Sequence, residues 1–263
     1  MHRLLVPSEL LECGSPLLPK DAANHLKVLR PKDGEEIELF DGRGKWRRFS
    51  VGCDARSFTL AASSPVESAP RPPWALSLFA CVTKGSRWDW TIEKATELGA
   101  TRIVPVISAR TIVRIGADER AAKRDRWTRI AEDAARQSDA KWIPEVCEPV
   151  GFAESLALVR ETVCFAGAIA NPPPRPLLQA LLDSRRPTAV DRAPLATCDA
   201  RQVSPNPHLS VYVGPEGDFT PEELAALLEV ATPVSFGSTI LRAETAAIYG
   251  LSVLKSALDV QSR

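Results

Sequence analysis

Charged and polar side chains lie beside glycines where two predicted strands end, near the carboxyl terminus of the chain. The apolar run 211–213 is typical of a buried parallel strand, and the turn GPEG at 214–217 follows it. A second predicted strand, 233–236, leads into Gly237 and then into the polar stretch 242–245. Ligands bind at the carboxyl ends of strands in open α/β sheets, and glycines let a backbone approach them. The two loops therefore favour a ligand site, although ordinary strand-to-helix turns contain the same residue types.

Two basic residues follow another predicted strand, 75–82, near the middle of the chain. Lys84 and Arg87 lie where this strand gives way to a predicted helix at 86–98. An anionic partner would dock at such a position, because free backbone amides and positive charge coincide there. A solvated helix start has the same composition, so both interpretations remain open.

The elements that carry these residues have clear local signals. Thr220, Pro221 and Glu223 form a predicted capping box at the start of a helix. Gly99 is placed to end the helix 86–98, and a strand at 102–107 follows. Helices are also predicted at 120–138 and 176–184, and a strand at 164–170. The alternation of strand and helix predicts an α/β fold with a parallel sheet.

The first part of the chain has a different, β-rich pattern. Short strands are predicted at 37–40, 49–51 and 57–60, with one helix at 21–29. A small barrel with one helix fits this pattern. The Ser- and Pro-rich stretch 63–74 is a predicted linker, and it divides the chain into domains at 1–70 and 74–263.

Composition limits the class of protein. The 263 residues contain 33 basic and 33 acidic side chains, so no overall field attracts the chain to nucleic acid. Six scattered cysteines without a CxxC pair argue against a metal site and for a reducing compartment. No apolar run is long enough to span a membrane, and the start does not match a signal peptide. A cytoplasmic protein without a membrane partner is therefore predicted. Walker and GxGxxG motifs are absent, which counts against a standard nucleotide-binding domain.

Four blocks of sequence, taken together, resemble one known family. They are HLKVLRPKDGEEIELFDGRG (25–44), KGSRWDWTIEKATELGATRIVPV (84–106), ARQSDAKWIP (135–144), and the GPEG turn with ILRAETAA (240–247). The chain resembles the SPOUT-class 16S ribosomal RNA (uridine-N3) methyltransferases. The resemblance implies an N-terminal PUA-like small β-barrel that binds RNA, followed by a C-terminal SPOUT α/β domain with a deep trefoil knot.

The resemblance also implies a function. The expected activity is transfer of a methyl group from S-adenosyl-L-methionine to N3 of a specific uridine in 16S rRNA of the small ribosomal subunit, by a homodimer that needs no metal. One alternative is the same fold acting on another RNA, such as transfer RNA. A second alternative is a non-catalytic RNA-binding or ribosome-assembly protein that uses the PUA-like barrel.

Residue by residue, the resemblance implies three sets of site residues. The expected cofactor-binding residues are Phe165, Gly167, Gly214, Pro215, Glu216, Gly217, Phe236, Gly237, Ile240, Leu241, Arg242 and Thr245. The expected catalytic residues are Arg242, which would hold base oxygens or a phosphate, and Glu216 and Glu244, which would accept a proton or orient Arg242. A structural salt bridge is the alternative role for both glutamates. The expected RNA-binding residues are His25, Arg30, Lys84, Arg87, Arg136 and Gln137.

The sequence departs from the family pattern at two places. Asp218 stands where the family usually has glycine, which adds a carboxylate beside the cofactor turn. Asp139 and Ala140 stand where the family usually has Gly-Arg, so an arginine that could contact RNA is missing. Arg136 and Lys141 are the candidates to replace it.

Overall fold

The structure is a computed structural model that describes residues 1–54, 57–169, 172–184 and 208–261. Its backbone contacts divide the chain into two units. One unit consists of Met1–Pro72 with Thr128–Pro144, and the other of Pro73–Trp127 with Glu145–Arg263. The domain boundary that the sequence predicts at 70–74 stays a prediction. Residue 170, the last position of the strand predicted at 164–170, lies outside the described residues.

The first unit is built on a five-stranded sheet with the order β1-β2-β3-β4, in which β5 pairs with β3. Its elements are β1 (His2–Leu5), α1 (Glu9–Glu12), α2 (Lys20–Leu29), β2 (Glu36–Phe40), β3 (Lys45–Cys53), β4 (Phe58–Ala62) and β5 (Glu67–Ser68). β1 pairs in parallel with β2, and the other pairs are antiparallel. The three strands and the helix that the sequence predicts are confirmed, whereas β1 and β5 have no local signal that predicted them. Among the described strands the pairing path is open from β1 to β4, so closure into a barrel stays a prediction.

A buried ion cluster fixes the segment 128–144 within this unit. Arg3 Nε donates to Glu38 Oε1 at 2.7 Å, and Lys141 Nζ donates to the same oxygen at 2.8 Å. Arg3 Nη1 also donates to the backbone oxygen of Ala135 at 2.8 Å. The side chains of Arg3, Glu38 and Lys141 are 5%, 4% and 19% exposed. Lys141, a candidate for the missing RNA-binding arginine, is therefore engaged inside the unit.

We expect Glu38→Ala to lower the free energy of unfolding by about 3 kcal/mol, because it leaves Arg3 and Lys141 with only the exposed carboxylate of Asp139 as a shared partner. Urea unfolding of the full chain measures this loss. Glu36→Ala is the matched control, since Glu36 lies in the same strand but is exposed. Equal stabilities of the two variants would show that the cluster contributes nothing.

The second unit is built on a seven-stranded parallel sheet with the order β12-β10-β11-β6-β7-β8, in which β9 pairs with β7. Its strands are β6 (Ala75–Cys81), β7 (Arg102–Ile107), β8 (Glu145–Val146), β9 (Val150–Gly151), β10 (Val163–Gly167), β11 (His208–Val213) and β12 (Thr232–Val234). Its helices are α3 (Ser86–Glu97), α4 (Arg120–Gln137), α5 (Phe152–Val159), α6 (Leu177–Ser184), α7 (Pro221–Leu228) and α8 (Ala243–Gln261), with a short 3₁₀ turn at Ala117–Glu119. Residues of α4 from Thr128 onward belong to the first unit.

The predicted α/β fold with a parallel sheet is confirmed. The capping box forms as predicted: Glu223 N donates to Thr220 Oγ1 at 3.2 Å, and Thr220 N donates to Glu223 Oε2 at 3.1 Å. Gly99 ends helix α3 with a φ of 79°. Some boundaries differ: β12 ends at Val234 rather than at residue 236, and β10 ends at Gly167 rather than at residue 170. The knot stays a prediction.

An aromatic cluster forms the core on one face of this sheet. The ring of Tyr212 stacks on Phe79 at a centroid distance of 5.8 Å and meets Phe219 edge-on at 5.8 Å. The hydroxyl of Tyr212 shares a 2.7 Å hydrogen bond with Ser155 Oγ. Helix α8 packs against β11 and β6, and a Cβ on Gly250 would lie only 2.6 Å from Val211. The sheet therefore holds both α8 and the turn that contains Phe219.

Within the described residues, no helix has the length and apolar character needed to cross a membrane.

Candidate active site

The register of four neighbouring strands brings their carboxyl ends to one edge of the sheet. Val213 of β11 pairs with Ala80 of β6, and Ala166 of β10 pairs with Tyr212. Gly167 pairs with Val234 at the end of β12. The loops that follow these strands therefore leave the sheet side by side. These are the loops in which the sequence predicts the cofactor site and the positions of Lys84 and Arg87.

A cavity of about 700 Å³ opens between helix α3 and the segment 240–245. Its lining residues are Ser86, Arg87, Trp90, Ile240, Leu241, Arg242, Glu244 and Thr245. Six of these residues belong to the predicted site, and the structure brings them together. The volume is in the range of pockets that hold small ligands.

Glu244 is the buried acceptor of this cavity. It is 8% exposed, and its Oε2 has no hydrogen-bond partner among the described residues. An unsatisfied buried carboxylate oxygen costs free energy unless a ligand donates to it. Arg242 is exposed, and its guanidinium has no hydrogen-bond or ion-pair partner within the described parts of the chain. The cavity thus offers a ligand the acceptor oxygen of Glu244 and the two adjacent N–H donors of the Arg242 guanidinium.

Glu216 pairs with Arg87 and not with Arg242. Arg87 Nη1 lies 3.2 Å from Glu216 Oε1, and the two side chains are 45% and 26% exposed. The predicted role of orienting Arg242 has no contact that supports it, while the alternative role of a salt bridge does. A pair this exposed adds little stability. Its geometric effect is to hold the GPEG turn beside the first turn of α3.

Two of the predicted cofactor glycines are required by aromatic packing. A Cβ on Gly167 would lie 2.3 Å from the ring of Phe236, and one on Gly214 would lie 2.9 Å from the ring of Phe219. Gly217 differs, because its Cβ would make an ordinary contact at 3.5 Å with Arg110. Gly237 has a φ of 127° and open space around it. Gly217 and Gly237 are therefore the glycines that leave room for a ligand.

Two other predicted cofactor residues are buried. Phe165 is 0% exposed and lies inside β10, so its side chain belongs to the core. Pro215 is also buried, within the GPEG turn. The side chains of these two residues do not line the cavity, and only nearby backbone remains for a ligand.

Three residues of the site were not predicted from the sequence. Ser86 and Trp90 line the cavity. Trp90 follows Ser86 by four residues and Arg87 by three on α3, and this helical spacing was a signal that could have found them. Arg110 Nη1 donates to the backbone oxygens of Gly217 and Phe219 at 3.0 and 3.2 Å. The Gly217 contact spans 107 residues of sequence, so no local pattern predicts it.

The buried thiols near the sheet are not nucleophiles. Burial raises the pKa of Cys81 to about 11 and that of Cys164 to about 12. Both groups therefore remain protonated near neutral pH, and a thiol is reactive only as its thiolate. Neither thiol is among the residues that line the cavity.

The predicted RNA-binding residues fall in both units. In the first unit, His25 and Arg136 line a cavity of about 310 Å³ with Asp21 and Glu132. Burial lowers the pKa of His25, and the charges of Arg136 and His2 lower it further, which disfavours a positive charge on this side chain. Arg136 forms an ion pair with Asp133.

The other four predicted RNA-binding residues, Arg30, Lys84, Arg87 and Gln137, are exposed.

Both departures from the family pattern place an aspartate in a left-handed backbone conformation. The φ angles of Asp139 and Asp218 are 59° and 58°. Glycine adopts this region without strain, which explains physically why glycine suits these positions. Asp218 compensates by accepting a 2.8 Å hydrogen bond from the amide of Phe219 through its carboxylate. Aspartate tolerates the left-handed region better than most residues because of such local bonds.

Asp218→Ala should lower the free energy of unfolding by about 1–2 kcal/mol, because alanine has the steric cost of positive φ without the hydrogen bond. Asp218→Gly should leave stability within about 0.5 kcal/mol of the original, because glycine avoids that cost. Chemical denaturation of both variants measures their free energies of unfolding and checks which variant is the more stable. An alanine variant as stable as the glycine variant would contradict the strain argument.

Two protein families match the chain. The family described as RNA methyltransferase domain matches residues 70–255, and the family described as RNA methyltransferase PUA domain matches residues 18–51. The fold and the cavity at the strand ends agree with the first of these. The chain belongs to the RNA methyltransferase domain family, which confirms the family that the sequence blocks predicted.

Several ribosomal RNA methyltransferases are similar to this chain over most of its length. Ribosomal RNA small subunit methyltransferase E of Bacillus subtilis is 30% identical over 87% of this chain and 84% of that protein. The protein of the same name from Mycobacterium bovis is 31% identical over 86% of this chain and 80% of its own length. A crystal structure of a ribosomal RNA small subunit methyltransferase E from Neisseria gonorrhoeae, bound to S-adenosyl methionine, superposes with a TM-score of 0.75. It is 28% identical and covers 98% of each chain.

Proposed function

We propose that this protein transfers a methyl group from S-adenosyl-L-methionine to N3 of a uridine in the 16S rRNA of the small ribosomal subunit. The observation that carries the proposal is the cavity at the carboxyl ends of the parallel strands, which both Arg242 and Glu244 line. Relatives named as ribosomal RNA small subunit methyltransferases support ribosomal RNA as the substrate class. The uridine and its N3 position come from the resemblance in sequence.

The residues of the cavity fit the proposed cofactor. The unpartnered Oε2 of Glu244 can accept a hydrogen bond from an amino or hydroxyl group. The backbone around Gly237 is open, and the cavity is large enough for a small ligand. Segment 236–242 and the turn 214–217 would hold the cofactor, which supplies an electrophilic methyl group when it is bound.

Arg242 is the group that acts on the acceptor base. Uracil must lose its N3 proton, and the ring then carries negative charge on the oxygens beside N3. A guanidinium with paired donors stabilises that charge when it is fixed in place and desolvated. Glu244 lines the same cavity and is the unpaired one of the two candidate proton acceptors within the described residues, because Glu216 is paired with Arg87. Direct transfer needs no covalent intermediate with the protein.

The two alternatives, another RNA substrate and a non-catalytic binding protein, receive no support from the relatives. A non-catalytic role also leaves unexplained why the buried carboxylate of Glu244 and the exposed guanidinium of Arg242 line one open cavity. Assembly as a homodimer and a cytoplasmic location remain expectations from the resemblance and the composition. A two-domain organisation, with RNA held by the PUA-like part, is proposed with them.

Arg242→Ala should lower methyl transfer to unmodified small ribosomal subunits by about two to three orders of magnitude, because it removes the donor to the developing charge. Nucleoside analysis by mass spectrometry measures the product and its position on the base. Arg160→Ala is the control, since Arg160 is exposed at the end of α5 and outside the cavity. Wild-type turnover in Arg242→Ala would refute the role of Arg242.

Gly217→Val should weaken binding of S-adenosyl-L-methionine at least about tenfold, because its side chain would fill space in the cofactor turn. The fold should tolerate it, since a Cβ there makes ordinary contacts with Arg110, at 3.5 Å to its side chain and 3.9 Å to its backbone oxygen. Titration calorimetry measures the affinity. Gly14→Val, at an exposed glycine with open surroundings, is the control. An unchanged affinity in Gly217→Val would count against assigning this turn to the cofactor.

A further inference from the structure

Trp90 is a large aromatic side chain that the fold turns away from the core. It is 40% exposed, whereas Trp88 is 2% exposed and meets Trp127 edge-on at a centroid distance of 5.6 Å. Residues two apart on a helix point in different directions, so the burial of Trp88 directs Trp90 outward. Arg126 Nη2 bonds Asp89 Oδ2 at 2.5 Å and fixes the same turn. The exposure of Trp90 is thus a consequence of how α3 is anchored.

Trp90 belongs to a stripe on α3 that forms one wall of the cavity. Ser86 and Arg87 precede it by four and three residues, so the three side chains share a face. The other wall is the segment 240–245, which the proposed function assigns to the cofactor and to Arg242. The α3 wall has no cofactor residue assigned to it. Because the methyl group and the acceptor atom must be in contact for transfer, the acceptor occupies the same cavity on the α3 side.

We propose that Trp90 is the platform on which the target pyrimidine base stacks during methyl transfer. The inference rests on the proposed function and deepens it, since it assigns the acceptor side of the cavity. A base extruded from RNA is held by stacking on an aromatic ring and by hydrogen bonds to its Watson–Crick edge. Trp90 supplies the aromatic face, and Arg242 supplies donors to the edge that contains N3.

Two neighbours complete this subsite. Ile240 is 83% exposed and lines the same cavity, so it offers a second apolar surface to a flat ring. Arg87 is partly exposed beside Trp90 and pairs with Glu216 through Nη1, so its other guanidinium nitrogens can bind the phosphate next to an extruded nucleotide. An apolar face, a cation at the rim and paired donors at the base edge are the chemistry that recognises a nucleotide.

The test compares Trp90→Leu with Trp90→Phe in the full chain. Methyl transfer to unmodified small ribosomal subunits gives KM and kcat, and calorimetry gives the affinity for S-adenosyl-L-methionine. We expect Trp90→Leu to raise KM for RNA about tenfold to a hundredfold, the size of effect that loss of one base stack produces. Trp90→Phe keeps an aromatic face and should stay within about threefold of wild type. Cofactor affinity should be unchanged in both variants.

Trp74→Leu is the matched control, because Trp74 lies in the same unit but outside the cavity, where Lys255 Nζ is 5.1 Å from its ring centroid. Its KM should equal that of wild type. An unchanged KM in Trp90→Leu overturns the inference, as does a parallel loss of cofactor affinity or equal defects in the leucine and phenylalanine variants. A wild-type protein that transfers no methyl group overturns the proposed function, and the inference with it. Active wild type with a normal Trp90→Leu variant overturns the inference alone.

Discussion

Parallel alignment of β6, β11, β10 and β12 is the constraint on which the site depends. Their register puts four carboxyl ends at one edge, so residues distant in sequence emerge as neighbouring loops. Two contacts between a glycine and an aromatic ring then fix the loops against the sheet. Phe236 lies over Gly167 and Phe219 over Gly214, each at a distance that a Cβ would not permit. The GPEG turn is therefore positioned by the core, before any ligand is considered.

Charge pairing in the cavity decides which side chains are free to act. Glu216 is occupied by Arg87, and Arg110 is occupied by the backbone of the turn. Arg242 and Glu244 have no such partners among the described residues, although one is exposed and the other buried. A buried carboxylate without a donor is costly, and folding retains it here beside an open cavity. This combination is typical of a site prepared for a ligand rather than for stability.

Local sequence signals predicted most of the second unit because its elements depend on local chemistry. The capping box at Thr220, the glycine at residue 99 and the apolar run of β11 each specify structure within a few residues. Contacts across long sequence separations were not predictable in this way. Arg110 reaches the GPEG turn and Arg3 reaches Glu38 and Ala135 through tertiary structure alone. Glycines 167 and 214 stay predicted site positions, and the structure gives a packing reason for them, contact with an aromatic ring, which a sequence does not display.

Ion pairing also limits which of the predicted basic residues can bind RNA. Of the predicted RNA-binding residues and their candidate replacements, Arg136 and Lys141 are paired with acids inside the first unit, and burial lowers the pKa of His25. Arg30 and Lys84 are exposed, with no ion pair among the described residues. Among the predicted RNA-binding cations, Arg30 and Lys84 are therefore the ones without an acidic partner in the part that the structure describes, in a chain whose formal net charge is +0. Affinity that does not come from phosphate contacts must come from the base itself. An aromatic platform in the cavity supplies that contribution, so the modest charge of the chain and the exposure of Trp90 point to the same mode of recognition.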